Sequence, residues 1–111
     1  MNPNNNEQEA SGVSISDNTY NIETSQSQII WTGRELSTSS HYGSLNFVSG
    51  NFEVLNGLIV GGEFIVDMTS INNQDMEGGS KERLEGHLKS DDFFSVDTHP
   101  TATLSINSSE L

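Results

Sequence analysis

Residues 52–70 read FEVLNGLIVGGEFIVDMTS, two β-rich apolar runs joined by Asn56-Gly57. An Asn-Gly pair is the strongest short hairpin signal, because both positions must accept a positive φ. A two-residue turn at this point sets Leu55 opposite Leu58 and makes the two strands antiparallel. The stretch therefore predicts an antiparallel β-hairpin.

The second strand of this hairpin has one apolar face. Phe64, Val66 and Met68 alternate with more polar positions, so these three side chains are expected to point inward together. The Gly61-Gly62 pair inside the same strand is costly for packing and predicts a bulge or bend that curves the sheet towards closure.

Short runs of the same kind flank the hairpin and are separated by Gly, Asn and Ser. Together they predict about six strands, near residues 20, 30, 46, 53, 64 and 104. Residues 1–18 are polar and predict a disordered tail, which leaves residues 19–111 as one domain. We therefore predict a mainly β fold, an antiparallel barrel or incomplete barrel with one short helix.

That helix is predicted at about residues 80–89. Ser80 is its expected N-cap, and Leu84 and Leu88 form its narrow apolar stripe. The stripe predicts that the helix lies across one end or side of the sheet. The two phenylalanines at 93–94 are expected to follow it into the core.

Charge and composition exclude several kinds of partner. The chain has 16 acidic and 4 basic residues and a net charge of −12, whereas nucleic-acid binding depends on Lys and Arg neutralising phosphates. An anionic membrane surface repels such a chain as well. The longest apolar run, residues 58–60, is far shorter than the roughly 20 residues of a membrane-spanning helix, so no stable membrane insertion is expected.

Groups that could perform chemistry do not form a recognisable catalytic motif. The chain has no cysteine, and its serines occur in no nucleophile elbow. His41, His87 and His99 show none of the close spacings typical of zinc ligands. We predict neither an enzyme nor a bound cofactor or metal; a metal-dependent hydrolase that uses one of these histidines with a carboxylate is a further alternative.

The apolar side chains expected on the inner face of the curved sheet allow two interpretations. They could fill the barrel, or they could line a cavity for one apolar ligand. The residues concerned are Trp31, Phe47, Phe52, Phe64, Val66 and Met68. The pattern of residues does not distinguish these interpretations.

Four segments of the chain resemble the YceI-like family of polyisoprenoid-binding proteins, which have a lipocalin-like barrel. They are WTGRE at 31–35, HYGSLNF at 41–47, GGEFIVDMTSI at 61–71 and RLEGHLKSDDFFSVDTHPTATLSI at 83–106. The resemblance covers roughly residues 19–107. It implies a barrel that holds an isoprenoid or fatty chain in an apolar tunnel, and it implies no catalytic residues. It also implies a periplasmic, secreted or lipid-anchored protein, although residues 1–10 show no signal-peptide pattern.

The resemblance directs attention to two groups of candidate ligand-binding residues. The apolar cavity is expected to be lined by Trp31, Phe47, Phe52, Phe64, Val66, Met68, Leu88, Phe94 and Leu104. Arg34 and His41 are the candidates for the lipid head group, because they lie between strands.

One departure from the family concerns the end of the chain. An eight-stranded barrel closes its sheet, but only about six strands are predicted before Leu111. The family's final strands are therefore expected to be missing, which makes residues 101–107 an exposed edge that favours homodimers or oligomers. The alternative function is a structural or interaction protein with a filled or incomplete barrel, which associates through this edge.

Overall fold

A computed structural model describes residues 15–34 and 39–110 of the chain. Residues 1–14 of the predicted tail lie outside the described residues. The elements are five strands and one α-helix: β1 (Asn18–Asn21), β2 (Gln28–Arg34), β3 (Ser40–Leu55), β4 (Leu58–Asn73), α1 (Gly78–Lys89) and β5 (Thr101–Ile106). A single 3-10 turn separates β1 from β2. The predicted mainly β class with one helix is confirmed.

All strands belong to one antiparallel sheet. The long strands β3 and β4 pair along their length, and β5 pairs with the other edge of β4. Both β1 and β2 pair with the second edge of β3, at opposite ends of that strand. Among the described residues no strand joins β5 to β1 or β2, so the sheet is open, as expected of an incomplete barrel.

The predicted hairpin forms at Asn56-Gly57. Both residues have positive φ, 53° and 78°, and Leu55 faces Leu58 across the turn. The carboxylate of Asp17 accepts a hydrogen bond of 2.8 Å from the Asn56 N–H, so the chain just before β1 is tied to the turn.

The prediction of six strands is wrong because β3 is continuous. The segments near 46 and 53 belong to one 16-residue strand, although Ser49-Gly50 in the middle favours a turn. The register shifts at Val48, and this bulge bends the strand without ending it. The bulge also changes the alternation of side chains, so Phe47 and Phe52 share the inner face although they are five positions apart.

Two register irregularities occur in β4. The first lies at Val60, beside the glycine pair that predicted it. The second follows Asp67, where the Asp67 carboxylate accepts hydrogen bonds from the N–H and hydroxyl of Thr69, at 3.0 and 2.6 Å. Because this irregularity changes the alternation, Met68 and Ile71 are both buried although they are three positions apart.

The core lies on the inner face of β4, under the loop that follows α1. Its buried members are Val66, Met68 and Val96, and three partly buried residues pack against them: Ile29, Leu45 and Phe47. The loop turns back towards the sheet, and the N–H of Val96 donates to the carbonyl of Lys89 at 3.0 Å. This turn brings Val96, only 4% exposed, into the core.

The expectation that residues 93–94 enter the core is wrong. Phe93 and Phe94 are 56% and 47% exposed. The N–H of Phe94 donates to the carbonyl of Leu88 at 3.0 Å, which keeps this part of the loop against the end of α1. Val96 therefore takes the place expected for the two aromatic rings.

The helix starts earlier than predicted. It spans Gly78–Lys89, and Glu77 is its N-cap residue without a side-chain capping bond, so Ser80 lies inside the first turn and the predicted cap is wrong. The carbonyl oxygen of the Asn73 side chain accepts a bond from the Met76 N–H at 3.0 Å, and this turn directs the chain into the helix before Ser80. Within the described ranges no helix is long and apolar enough to cross a bilayer.

Candidate functional site

A groove runs between α1, with the loop after it, and the inner face of the sheet at β2, β3 and β4. We call it the helix groove. It consists of three adjoining cavities of about 460, 290 and 240 Å³, which we call the outer, middle and inner cavities. The outer and middle cavities share His41, Leu84 and His87.

The inner cavity is almost entirely apolar. It is lined by Trp31, Thr32, Gly33, Leu45, Ile71, Leu88, Phe93 and Phe94. Trp31 lies directly across from Gly43 in the sheet register, and a Cβ at Gly43 would come within 2.6 Å of the indole ring. The Nε1–H of Trp31 donates to the Ser44 carbonyl at 3.3 Å. The absence of a side chain at Gly43 is therefore what allows the indole to lie on this wall.

The helix wall of the groove is formed by the predicted apolar stripe. Leu84 and Leu88 both line the middle cavity, and both are only half-buried. No residue of α1 is fully buried, because empty space separates this face of the helix from the sheet. Phe93 extends the same wall, with its ring 4.8 Å from the His87 ring in an edge-to-face arrangement.

The outer cavity carries more polar groups than the inner one, although Met76 and Leu84 also line it. Arg83, Ser80 and His87 of α1 face it together with His41 of β3. The middle cavity adds Arg34 from the end of β2. The groove thus changes from an apolar inner end to an outer end with several hydrogen-bond donors.

His41 is held by a carboxylate. Its Nδ1 lies 2.8 Å from Oδ2 of Asp75, whose other oxygen accepts a bond from the Tyr42 N–H at 3.0 Å. The hydrogen bond from His41 is the main cause that lowers the pKa of Asp75 to about 2, with smaller contributions from Tyr42 and Asn73. A carboxylate partner at Nδ1 favours the tautomer with its proton there, which leaves Nε2 available to another partner.

Asn73 connects this pair to the helix. It is fully buried, its side-chain amide donates to Asp75 at 2.7 Å and to the Tyr42 carbonyl at 3.2 Å, and its backbone N–H donates to the carboxylate of Glu85 at 2.7 Å. One buried side chain at the end of β4 therefore positions His41, through Asp75, and one face of α1.

Five of the sequence-predicted site residues meet in the helix groove. Trp31, Leu88 and Phe94 line its inner cavity, and Arg34 and His41 line its middle cavity. They come from β2, β3, α1 and the loop after the helix, so the groove depends on segments that are distant in sequence.

The other predicted residues lie elsewhere on the inner face of the sheet. Val66 and Met68 are buried in the core, and the ring of Phe64 lies 5.9 Å from that of Phe47 next to that core. Phe52 stacks on Tyr20 at 5.5 Å. The remaining residue is Leu104, which pairs with Phe64 in the sheet but is 58% exposed.

Several residues that line or support the groove were not identified from the sequence. Ile71 was missed because the irregularity after Asp67 reverses the expected alternation. Arg83 has the pattern of an ordinary exposed helix residue, and Asn73 and Asp75 look like turn residues after a strand. The local sequence around these four residues does not show which distant segment each of them contacts.

The three histidines do not converge. His41 and His87 face the groove, whereas the N–H of His99 donates to the Ser95 carbonyl at 2.8 Å in the loop before β5. In the ranges 15–34 and 39–110, no three His, Cys, Asp or Glu side chains are placed to hold a metal ion.

A family model described as the YceI-like domain matches residues 20–110, most of the chain. No curated protein matches the sequence.

Proposed function

Because the chain belongs to the YceI-like family, whose members bind polyisoprenoids and are generally periplasmic and non-enzymatic, we propose that it carries or sequesters a long-chain isoprenoid outside the cytoplasm. The apolar chain lies in the helix groove and the head group at its outer end. The observation that supports this proposal is the change along the groove from an almost entirely apolar inner end to an outer end that carries several hydrogen-bond donors.

The binding free energy comes mainly from the inner cavity. Burial of each CH₂ contributes about 0.8 kcal/mol, and Trp31, Leu88 and Phe94 offer an apolar surface that is already assembled. A chain longer than the groove would continue across the sheet towards Phe47 and Phe64, whose rings are 5.9 Å apart.

Arg34 and His41 orient the head group in this proposal. They face the middle cavity, next to its apolar part, so a chain lying in the inner cavity brings its polar end to them. The Asp75 carboxylate holds His41 in place, which reduces the ordering cost that binding would otherwise carry.

The protein contains a built-in reporter for the test, because Trp31 is its only tryptophan and lines the groove. The full chain is titrated with farnesol while Trp31 fluorescence is recorded, and native mass spectrometry of the purified protein is followed by organic extraction. We expect a saturable fluorescence change and a bound species of defined mass.

The matched variants are Phe94→Ala in the groove and Ile30→Ala on the opposite face of β2. Both side chains are exposed and apolar, at 47% and 60%. Loss of one aromatic wall weakens farnesol binding roughly tenfold, whereas Ile30→Ala is expected to keep it. Absence of any saturable signal, or equal losses in both variants, would contradict the proposal.

A second candidate function is that of an interaction protein, which associates with another chain through the edge strand β5. Among the described residues β5 has no strand on its outer edge, and Leu104 on it is 58% exposed. Unpaired backbone groups at such an edge favour pairing with another strand.

Sedimentation velocity over a hundredfold concentration range tests this second candidate. Concentration-dependent association should be reduced by Leu104→Lys and retained by Leu55→Lys, which alters a similarly exposed leucine at the hairpin. A monomer at every concentration would exclude self-association through β5.

A further inference from the structure

Another cavity lies at the edge of the sheet, away from the helix groove. β1 pairs with residues 51–54 of β3, and β2 pairs with residues 40–46 of the same strand. Between these two pairings the chain leaves β3 and forms the 3-10 turn Thr24–Gln26. The space between this turn and β3 is a cavity of about 460 Å³, which we call the edge cavity. It shares no lining residue with the helix groove.

The edge cavity is lined almost entirely by side chains that carry a hydroxyl or an amide. These side chains are Thr24, Ser25, Gln26, Ser27, Gln28 and Asn46. Within residues 15–34 and 39–110, none of the six forms a side-chain hydrogen bond with another protein group. Their donors and acceptors are therefore available to a ligand.

The lining also determines the charge and polarity of the ligand that would fit. The chain has 16 acidic and 4 basic residues, but no described residue that lines the edge cavity is one of them. The cavity thus offers no counter-charge to an anion or a cation. Its volume is typical of small-molecule pockets, about 300–1,000 Å³, whereas the lining of such pockets is usually apolar. The matching ligand is therefore small, neutral and rich in hydrogen-bonding groups.

Phe47 provides the one apolar wall of the edge cavity. Its side chain is half-buried, and its ring lies 5.9 Å from the ring of Phe64, so packing holds it in place. The face of an aromatic ring carries partial negative charge and attracts the polarised C–H groups of a ligand. A sugar ring combines a C–H face with a rim of hydroxyl groups, and the edge cavity offers a partner for each.

The strand pairing leaves little room for an extended peptide at the same place. The N–H of Ile22 donates to the carbonyl of Gly50 at 2.9 Å, and Gln28 pairs with Asn46 at the other end of the gap. The edge of β3 between these two points comprises only residues 47–49. This is shorter than a typical strand of about 5–6 residues, so a compact ligand fits the gap better than an added strand.

We propose that the edge cavity binds a neutral mono- or disaccharide. The C–H face of one sugar ring lies on Phe47, and its hydroxyl groups bond to the side chains of the 3-10 turn and to Gln28 and Asn46. This site is independent of the lipid-binding function proposed above, because the two cavities have no lining residue in common.

The test is a titration of the full chain with three neutral disaccharides, maltose, cellobiose and N,N′-diacetylchitobiose, followed by two-dimensional amide NMR spectra. We expect at least one of them to give saturable shifts, largest at residues 24–28 and 46–47. The dissociation constant should be millimolar, because hydrogen bonds between neutral groups exchange with those to water and contribute modestly. Absence of saturable shifts with all three sugars, or shifts confined to other residues, would overturn the proposal.

The variant Gln28→Ala/Asn46→Ala removes two amides from the cavity wall. It should weaken binding roughly tenfold, through the loss of two neutral hydrogen bonds. Asn51→Ala/Asn107→Ala is the matched control, because it removes two exposed amides that do not line the cavity, and it should bind as the unaltered chain does.

A second variant in the 3-10 turn, Thr24→Val/Ser25→Ala, keeps the test decisive if the first one fails to fold, which the same spectra report. It removes two hydroxyls from the cavity without altering a strand and should weaken binding by a similar factor. Unchanged binding in a folded cavity variant, or an equal loss in the control, would also overturn the proposal.

Discussion

The two ends of the inner sheet face have similar apolar residues but very different surroundings. At one end α1 and its loop cover the sheet, and Val66 is 8% exposed. At the other end no described segment covers β5, and Leu104 is 58% exposed although its sheet partner Phe64 lies on the same face as Val66. Strand alternation thus sets the direction of a side chain, whereas a covering segment sets its burial.

The largest effect is expected at the covered end, from Gly43→Ala. The added Cβ would overlap the Asn72 carbonyl oxygen and lie 2.6 Å from the Trp31 ring. Such overpacking should lower the free energy of unfolding by about 3 kcal/mol, measured by urea denaturation followed by circular dichroism. Gly33→Ala is the control, because its Cβ would meet the same ring at an ordinary 3.9 Å; similar losses in both variants would refute the close approach at Gly43.

Truncation of one side chain at each end tests the comparison directly. Val66→Ala removes two methyl groups from the core and should cost about 2 kcal/mol of unfolding free energy, as lost burial plus a cavity. Leu104→Ala should cost less than about 0.5 kcal/mol, because an exposed side chain loses little on truncation. The same denaturation measurement applies, and comparable costs would mean that β5 is covered in solution.

The irregular segment of β4, next to Val66 at the covered end, should give a smaller change. Asp67→Ala removes the acceptor of two hydrogen bonds from Thr69 and should cost about 1 kcal/mol. Glu63→Ala alters an exposed carboxylate on the same strand and is expected to be near neutral. If Asp67→Ala were equally neutral in urea denaturation, the carboxylate would not stabilise the irregularity.

The smallest effect concerns acid stability at the groove. Hydrogen bonding to His41 lowers the pKa of Asp75 from 3.8 to about 2, so the folded protein holds the ionised form more strongly than the unfolded chain does. The resulting stability is complete above pH 3.8 and is lost as the pH falls towards 2.

The corresponding variant is Asp75→Asn. It should lose less stability than the unaltered protein between pH 5 and pH 2, as seen in urea midpoints at each pH. Asp92→Asn, at an exposed position after α1, should keep the full acid dependence. Identical pH profiles for Asp75→Asn and the unaltered protein would contradict the role of Asp75.

Much of the fold follows from short-range patterns. The Asn56-Gly57 turn, the final strand and the helix were predictable because each depends on residues that are neighbours in the chain. The number of strands was not, since Ser49-Gly50 favours a turn and the pairing of β3 with β4 overrides that preference. The predicted Ser80 cap failed for a related reason: Asn73, on the preceding strand, determines where the helix begins.

The site was predictable only in part. Trp31, Leu88 and Phe94 were identified as large apolar residues, and all three reach the groove. Arg34 and His41 reach it as well, but the expectation that they lie between strands was wrong, because Arg34 ends β2 and His41 belongs to β3. Phe52 and Leu104 belong to the same inner face but lie outside that groove. Residue type and alternation could not separate these two groups, because neither shows where α1 covers the sheet.

Composition and local pattern were enough to establish an acidic, mainly β domain, its central hairpin and the apolar faces of its strands and helix. They could do so because backbone preferences and side-chain periodicity act between near neighbours. The shape of the groove and the choice of Val96 over the two phenylalanines depended on packing between segments that are not neighbours in the chain, whose relative placement no local preference encodes.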